Sequence, residues 1–596
     1  MLVSLTDVAD QTFDYVVVGG GTAGLTVASR LSEDPKVSVL VLEAGGANIN
    51  DPTILRPASY GSHFQQPAYD WDYRTIPQRN CDGRSLVIAS GKGLGGSSAI
   101  NFLVWTRPAA SEINDIERLG NSGWNWSEYL KYSKKSERFI APPPEVAKEH
   151  ELRAEGVSDT GNVIAAFPRT LLSSVEIPLQ KALINMGFAH AKDPLGGDPV
   201  GVALHPQTVD PRTCTRSYAT TAYYLPAQDR GNLSVLVNAP VHRLITEKNE
   251  DGSVVAKAVQ FEYDGKVYVV NVGKEAILSA GSFKSPVILE LSGIGLKRVL
   301  EPLGIPVLVD LPVGENVQDH MYIGVAFELR DDIEVTTIDL LRDPDQVKKH
   351  LELQSKGEGL FSTGMTSFSY GPLQSYSDRA DEIQKAAKEN ILRNVDTYPP
   401  GLLEQYKIQI ERMKRGAAGA EIVVVTGFLA FPNPPVPRKR YFTPITVMNH
   451  NLSRGSIHIR STDPNVMPEI DPHSFEQDAD LQSLVEGAKH LKRLGKTSPF
   501  KELVAKETNP GPEVQTDEQI AAWVKKYAAS THHTAGSCSM MPRDKGGVVD
   551  PRLKVHGTTN IRVVDLSIVP LLFGSHPQAT TYAIAERAAD IIKGKI

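Results

Sequence analysis

The chain has 596 residues, 41% of them apolar and 22% charged, with a formal net charge of −7. That length exceeds what one hydrophobic core usually supports, so two or more domains are expected, and the composition is that of an ordinary globular protein. The acidic balance gives no reason to expect nucleic acid or an anionic membrane as partner, and no stretch approaches eighteen consecutive apolar residues, as a membrane-spanning helix would require.

No basic, apolar leader ending in small residues precedes the first strand. The protein therefore either stays inside the cell or is a mature secreted form with an added Met1. The sequons at Asn125, Asn232 and Asn451 are near chance number for a chain of this length. Localisation is left open between secreted and cytoplasmic. Cys81, Cys214 and Cys538 stand at no metal-ligand spacing and read as small buried residues. No metal is expected.

Tyr15 to Val18 is a short β-branched run, read as a buried parallel strand. It leads into Gly19-x-Gly21-Thr22-Ala23-Gly24, after which Leu25, Val27, Ala28 and Leu31 recur at helical spacing. A second strand, Val37 to Leu42, ends at Glu43. Gly19 permits a tight turn, Gly21 lets backbone approach a pyrophosphate, and Gly24 allows close helix–strand packing. The helix N-terminus offers N–H groups to phosphate, and Glu43 can accept a ribose hydroxyl. Ala44-Gly45-Gly46 leaves room for close backbone packing, and no Arg follows to welcome a 2′-phosphate. These features predict a dinucleotide site and disfavour NADP, while FAD and NAD stay open.

Residues 46 to 90 are irregular, with four prolines and the aromatics Tyr69, Trp71 and Tyr73, and suggest an excursion packed over a cofactor or a dimer surface. Next, Gly91-Lys92-Gly93-Leu94-Gly95-Gly96-Ser97-Ser98 offers backbone N–H groups at close range inside an apolar setting, and is read as a second cofactor-binding segment.

At this point the chain resembles the glucose–methanol–choline (GMC) flavin oxidoreductases, and most closely their aryl-alcohol oxidase-type members. Residues 91–102 match one family signature and Gly281 to Gly295 a second. Gly314-Glu315-Asn316-Val317-Gln318-Asp319-His320 resembles a third block, and 533–590 the C-terminal block. The resemblance implies FAD. It adds Asn101 and Phe102 to the second cofactor segment, Val241 at the adenine, Asp565 near the pyrophosphate, and His576 and Gln578 on the flavin side. Some members attach FAD through a histidine where this chain has Ile100, so the FAD is expected to be noncovalent. Phe102 is similar to the aromatic that walls the site in aryl-alcohol oxidases. Leu566 stands where relatives usually carry a small residue.

Between 150 and 220 the chain reads as helix and loop, with Ile177, Leu179, Leu183 and Ile184 on one helix face and Arg216-Ser217-Tyr218 resembling a family motif. Strands follow from 233 to 279, punctuated by Asp251-Gly252 and Asp264-Gly265 turns. From 321 to about 530 the texture changes to charged helices and apolar strands near 421–431 and 442–449. The expected fold is an α/β FAD-binding domain, Rossmann-like, from residues 1–150, 225–320 and 535–596. A second, α+β domain on an antiparallel sheet takes residues 151–224 and 321–534.

Two histidines carry the expected chemistry. His533 in Thr531-His532-His533-Thr534-Ala535-Gly536-Ser537 fits the family spacing better than His532, and His576 in Ser575-His576-Pro577-Gln578 matches the second family histidine. The resemblance implies His533 as general base and His576 as the group orienting the alcohol; histidine suits both tasks because it titrates near working pH. His532 stands where some relatives place an aromatic, and His320 and His556 are expected to be structural or near the cofactor. The expected reaction takes a primary alcohol, aromatic or furanic before sugar, to its aldehyde, with O2 as acceptor. A quinone acceptor and a non-redox member, such as a hydroxynitrile lyase, are the alternatives. Oligomeric state stays open.

Overall fold

The computed structural model describes every residue except Tyr60, Ala154 and Glu155. Thr12–Val18 forms the centre of a seven-stranded sheet, its valines fully buried. Val39–Leu42 and then Leu233–Leu236 run parallel on one side, and Lys266–Leu278 runs parallel on the other. The far edge of Lys266–Leu278 serves two partners. Its first half pairs antiparallel with Val254–Tyr263, and its last three residues pair parallel with Ile561–Val563. Val241–Lys248 completes the meander. The turn at Asp264-Gly265 has φ of +49° and +72°, as a two-residue hairpin connection requires. Helices Thr22–Leu31 and Gln578–Ile592 pack against each other and share one apolar core with this sheet. The first forty residues, the central meander and the last sixty thus form one unit.

A second sheet of eight strands is antiparallel throughout. Its central strands are Ser367–Gly371, Ala420–Val425, Tyr441–Met448 and Met321–Gly324. Ile422 and Val424 point to one face, where the apolar side of helix Asp478–Leu494 covers them. Val423 and Val425 point to the other, with Phe368, Ile445 and Val447. Burial on both faces explains why this stretch reads as continuously apolar rather than alternating.

Residues 150–220 depart from the expected helix and loop. Helix Ser173–Asn185 is present, with Val175, Leu179, Ala182 and Leu183 buried and Ile177 and Ile184 only half-buried. Val163–Ala166 also pairs parallel with Glu137–Ile140, and Gly201–Leu204 adds an edge strand to the second sheet. Strands of four residues are too short to display a period.

His458, on the short strand Ser456–His458, ties this region to helix Gly281–Leu291 of the first unit. Its Nδ1 lies 2.7 Å from Glu290 Oε1 and its Nε2 2.8 Å from Glu315 Oε1. Burial opposes the charged ring, but the two carboxylates prevail and raise its pKa to about 9. Glu290 is itself pushed up by burial, whereas Glu315 is held below the usual carboxylate range, against burial, by His458 and Arg298. A raised histidine stabilises the fold fully below its unfolded pKa of 6.5 and ceases to do so as pH climbs to about 9. Wild-type melting temperature should therefore fall across that window more steeply than that of His458→Gln, and parallel profiles would refute the assignment.

Candidate active site

The two glycine segments are stitched together around Glu43. Its Oε2 accepts the Gly20 N–H at 2.7 Å, and its Oε1 accepts those of Gly45 and Gly93, both at 2.9 Å. Burial pushes this carboxyl above its usual range, against those three donors. Oε2 holds only one of them and so keeps acceptor capacity for a ribose hydroxyl. Gly95 N–H donates to Gly20 O at 2.8 Å and Leu94 N–H to Gly46 O at 3.0 Å. The approach is so close that a Cβ on Gly45 would lie 2.5 Å from the Gly93 nitrogen, and one on Gly24 1.9 Å from the Gly19 oxygen.

The arrangement fits FAD. Helix Thr22–Leu31 starts after Gly21 with no side chain capping its N-terminus, so Thr22, Ala23 and Gly24 present N–H groups to a pyrophosphate. Ala44 and Val241, the latter opening its strand, are half-buried. In the other segment, Gly91 N–H donates to Ser97 Oγ at 3.1 Å. Arg216 is buried behind it, donating to Asn101 Oδ1 at 2.7 Å and Ser98 O at 3.2 Å, and so fixes the turn after Gly96. Gln578 opens the last helix; its Nε2 reaches Thr208 Oγ1 at 3.4 Å, and its buried Oε1 has no hydrogen-bond partner, as an atom meant for a ligand N–H would. Asp565 accepts Gly281 N–H and Ser285 Oγ–H, and its other oxygen caps the turn Leu566–Ile568 through Ser567. Leu566 packs against the core of the first unit, which accounts for a large residue at that position.

His533 and His576 meet. Their ring centroids are 4.8 Å apart at 68°. Both lie deep in the chain yet stay partly exposed. Asp319 shapes the His533 turn. It accepts the His533 N–H at 2.9 Å, Ser530 Oγ–H at 2.6 Å and Thr534 Oγ1–H at 2.9 Å, while burial raises its pKa to about 6. Between these anchors His532 takes φ +65° and sends its ring the other way. Its Nδ1 accepts the Ala89 N–H at 3.1 Å, and its ring meets Phe64 edge-on at 5.1 Å. Burial, with His576, His320 and His532 nearby, holds His533 well below the usual histidine value, so the ring is uncharged at neutral pH.

His576 ends a loop that both units grip. Asn316 Nδ2 and Gln318 Nε2 donate to Pro570 O, and Arg412 donates to Leu572 O at 2.6 Å. Gly574 N–H donates to Glu112 Oε2 at 2.9 Å, and Glu112 in turn meets His450 Nε2 at 2.5 Å. The His576 N–H donates to Thr106 Oγ1 at 3.1 Å. Its ring Nε2 lies 2.9 Å from Glu421 Oε1, on the second sheet. In register, Tyr370, Glu421, Val447 and Tyr322 form one row across that sheet, and Phe368, Val423, Ile445 and Gly324 the next. The face above the histidines is therefore largely apolar, its polar groups being Glu421, Thr443 and the phenol hydroxyls of Tyr370 and Tyr322. Phe368 meets His576 edge-on at 5.4 Å, and Phe102 packs against the same cluster.

Glu421, Asp319, Thr106 and Glu112 are the functional partners that spacing alone misses. Glu421 carried a signal, being an acid near the head of an otherwise apolar strand. His556 Nε2–H donates to Met541 O at 3.0 Å, away from this site, and is structural. Gly45→Ala should force the glycine segments apart, and the purified variant should carry much less flavin absorbance per protein than wild type at a similar far-UV spectrum. Full flavin content would contradict the cradle.

Two family models described as GMC oxidoreductase match residues 13–322 and 451–585. A dehydrogenase of Monascus purpureus, mpl7, is 34% identical over 99% of this chain and 97% of its own length. Among solved structures, an FAD-dependent oxidoreductase from Chaetomium thermophilum superposes with a TM-score of 0.89 at 29% identity, covering 98% of this chain and 99% of that one. A fungal aryl-alcohol oxidase superposes with a TM-score of 0.87 at 27% identity, with the same coverage. With its cradle, its paired imidazoles and these matches along nearly its whole length, the chain belongs to the GMC oxidoreductase family and is an FAD-dependent oxidoreductase.

Proposed function

We propose that the enzyme oxidises a primary alcohol with a flat apolar substituent, aromatic or furanic, to its aldehyde. The observation that carries this reading is the apolar face of Phe368, Val423, Val425 and Ile445, with Phe102 beside it, set against two imidazoles. A sugar would leave its hydroxyls without partners over such a face. FAD held in the cradle would supply the hydride acceptor and the route by which the electron pair reaches a second substrate. His533 is uncharged and takes the hydroxyl proton. His576, braced by Glu421 and Thr106, orients the oxygen while the carbinol hydrogen leaves as hydride. Apolar walls keep water from the reacting carbon. Atoms balance: the alcohol loses one proton and one hydride and leaves as aldehyde.

Dioxygen is the second substrate in this reading, released as hydrogen peroxide after gaining two electrons and two protons. The relatedness to a protein named a dehydrogenase favours a second reading, with a quinone as acceptor. Peroxide formed in step with aldehyde supports the first; dye reduction without peroxide supports the second. FAD is held noncovalently, since Ile100 offers no nucleophilic atom for attachment, and acid-precipitated protein should lose its yellow colour to the supernatant. In stopped flow under nitrogen, an aromatic alcohol should bleach the bound flavin. His533→Ala should keep its FAD and slow that bleaching by about 10²–10⁴. A variant as fast as wild type would remove His533 from the role of base.

A further inference from the structure

One close contact of His533 remains without a role in that chemistry. Its Nδ1 lies 3.0 Å from Nδ1 of His320, with the two rings nearly perpendicular at 85°. We propose that His320 is a positioning residue that sets the tautomer of His533, accepting its Nδ1–H and leaving Nε2 bare to take the alcohol proton. The inference rests on the proposed alcohol oxidation with His533 as base.

A neutral imidazole carries one N–H and one bare nitrogen. Both rings are neutral: burial drives His320 down to about 3, and it drives His533 well below its usual value. Two nitrogens at 3.0 Å need one proton between them, and either ring could supply it. The surroundings of His320 decide. The Phe573 carbonyl acts on the His320 ring as an acceptor and favours an N–H there. Because Nδ1 is committed to His533, that N–H is on Nε2, which is buried, makes no full hydrogen bond to any other group and has only this carbonyl acting on it. A bare Nε2 would instead set its lone pair against that of the carbonyl oxygen. The proton between the rings therefore belongs to His533, and its free nitrogen is Nε2.

The support is rigid. His320 is 1% exposed, and its carbonyl accepts the Thr531 N–H at 2.9 Å. Gln318 and Ala535 exchange a pair of backbone hydrogen bonds, at 3.0 and 2.9 Å, just beyond the two histidines. Asp319 meanwhile accepts the backbone N–H of His533, so adjacent residues hold both the backbone and the ring of the base. The titratable groups facing the pair are His576 and His532 beside His533, His450 and Glu112 beside His320, and Asp319. None of these accepts from His533 Nδ1 in place of His320.

Two measurements on the FAD-loaded enzyme test this. In ¹⁵N-histidine spectra, the His533 ring, identified by its absence from His533→Ala, should show a protonated Nδ1 and a bare Nε2. A proton on Nε2 overturns the proposal. In stopped flow, His320→Phe removes the acceptor and should slow flavin bleaching by about 10² or more, whereas His320→Asn, whose Oδ1 can accept the same proton, should stay within about tenfold of wild type. Equal losses in both variants, or no loss in His320→Phe, also overturn it. If wild type is bleached by no alcohol tested, the proposed oxidation fails, and the ¹⁵N spectra still decide the tautomer.

Discussion

The hydrogen bond between His576 and Glu421 sets the terms for the rest of the structure. It joins a loop of the nucleotide-binding unit to a strand of the second sheet, 155 residues away, at 2.9 Å. A reactive pair of imidazoles exists only where these two units meet, so each must be rigid where it touches the other. The sheet meets that need by burying both faces. The loop meets it through polar grips on Pro570, Leu572 and Gly574 that come from Asn316, Gln318, Arg412 and Glu112. A mobile loop would let the ring swing by an ångström or more, enough to spoil alignment for hydride and proton transfer.

Much of this was legible in the amino-acid sequence, and the reason is local. Gly24 and Gly45 are dictated by clashes a few residues away or across one tight turn, and the strand, turn and helix around Gly19 follow from periodicity. His533 and His576 were legible through their neighbours in a family block. Their partners were not. His320 lies 213 residues from His533, Thr106 lies 470 from His576, and no periodicity links such positions. Glu43 shows a middle case: its position after a strand was informative, but its binding of three backbone N–H groups follows only from the second glycine segment folding onto the first. The strand Gly201–Leu204 escaped notice because four residues display no alternation, and only its edge position beside Ser367 makes it a strand.

The pocket also divides its electrostatics cleanly. His533, His320 and His532 are all pushed toward neutrality by burial, with His532 held to about 4 and His320 to about 3. The carboxylates of Asp319 and Glu421 each face a different histidine, one through its backbone and one through its ring. Asp319 thus positions His533 without bringing a carboxylate to its ring. Depth in the chain, apolar walls and a single acid in the roof together favour an uncharged base beside a firmly oriented neighbour.

The pairing of Ile561–Val563 with Ala276–Leu278 has a consequence for biosynthesis. A ribosome working at about 5–20 residues per second delivers the Gly19–Gly24 turn about half a minute or more before that strand emerges. From the synthesis of Leu278 until then, the edge of Ala276–Leu278 is an open template, of the kind that invites intermolecular β-pairing. A nascent chain that stalls just before residue 561 has every glycine of the cradle but neither the closing strand nor His576.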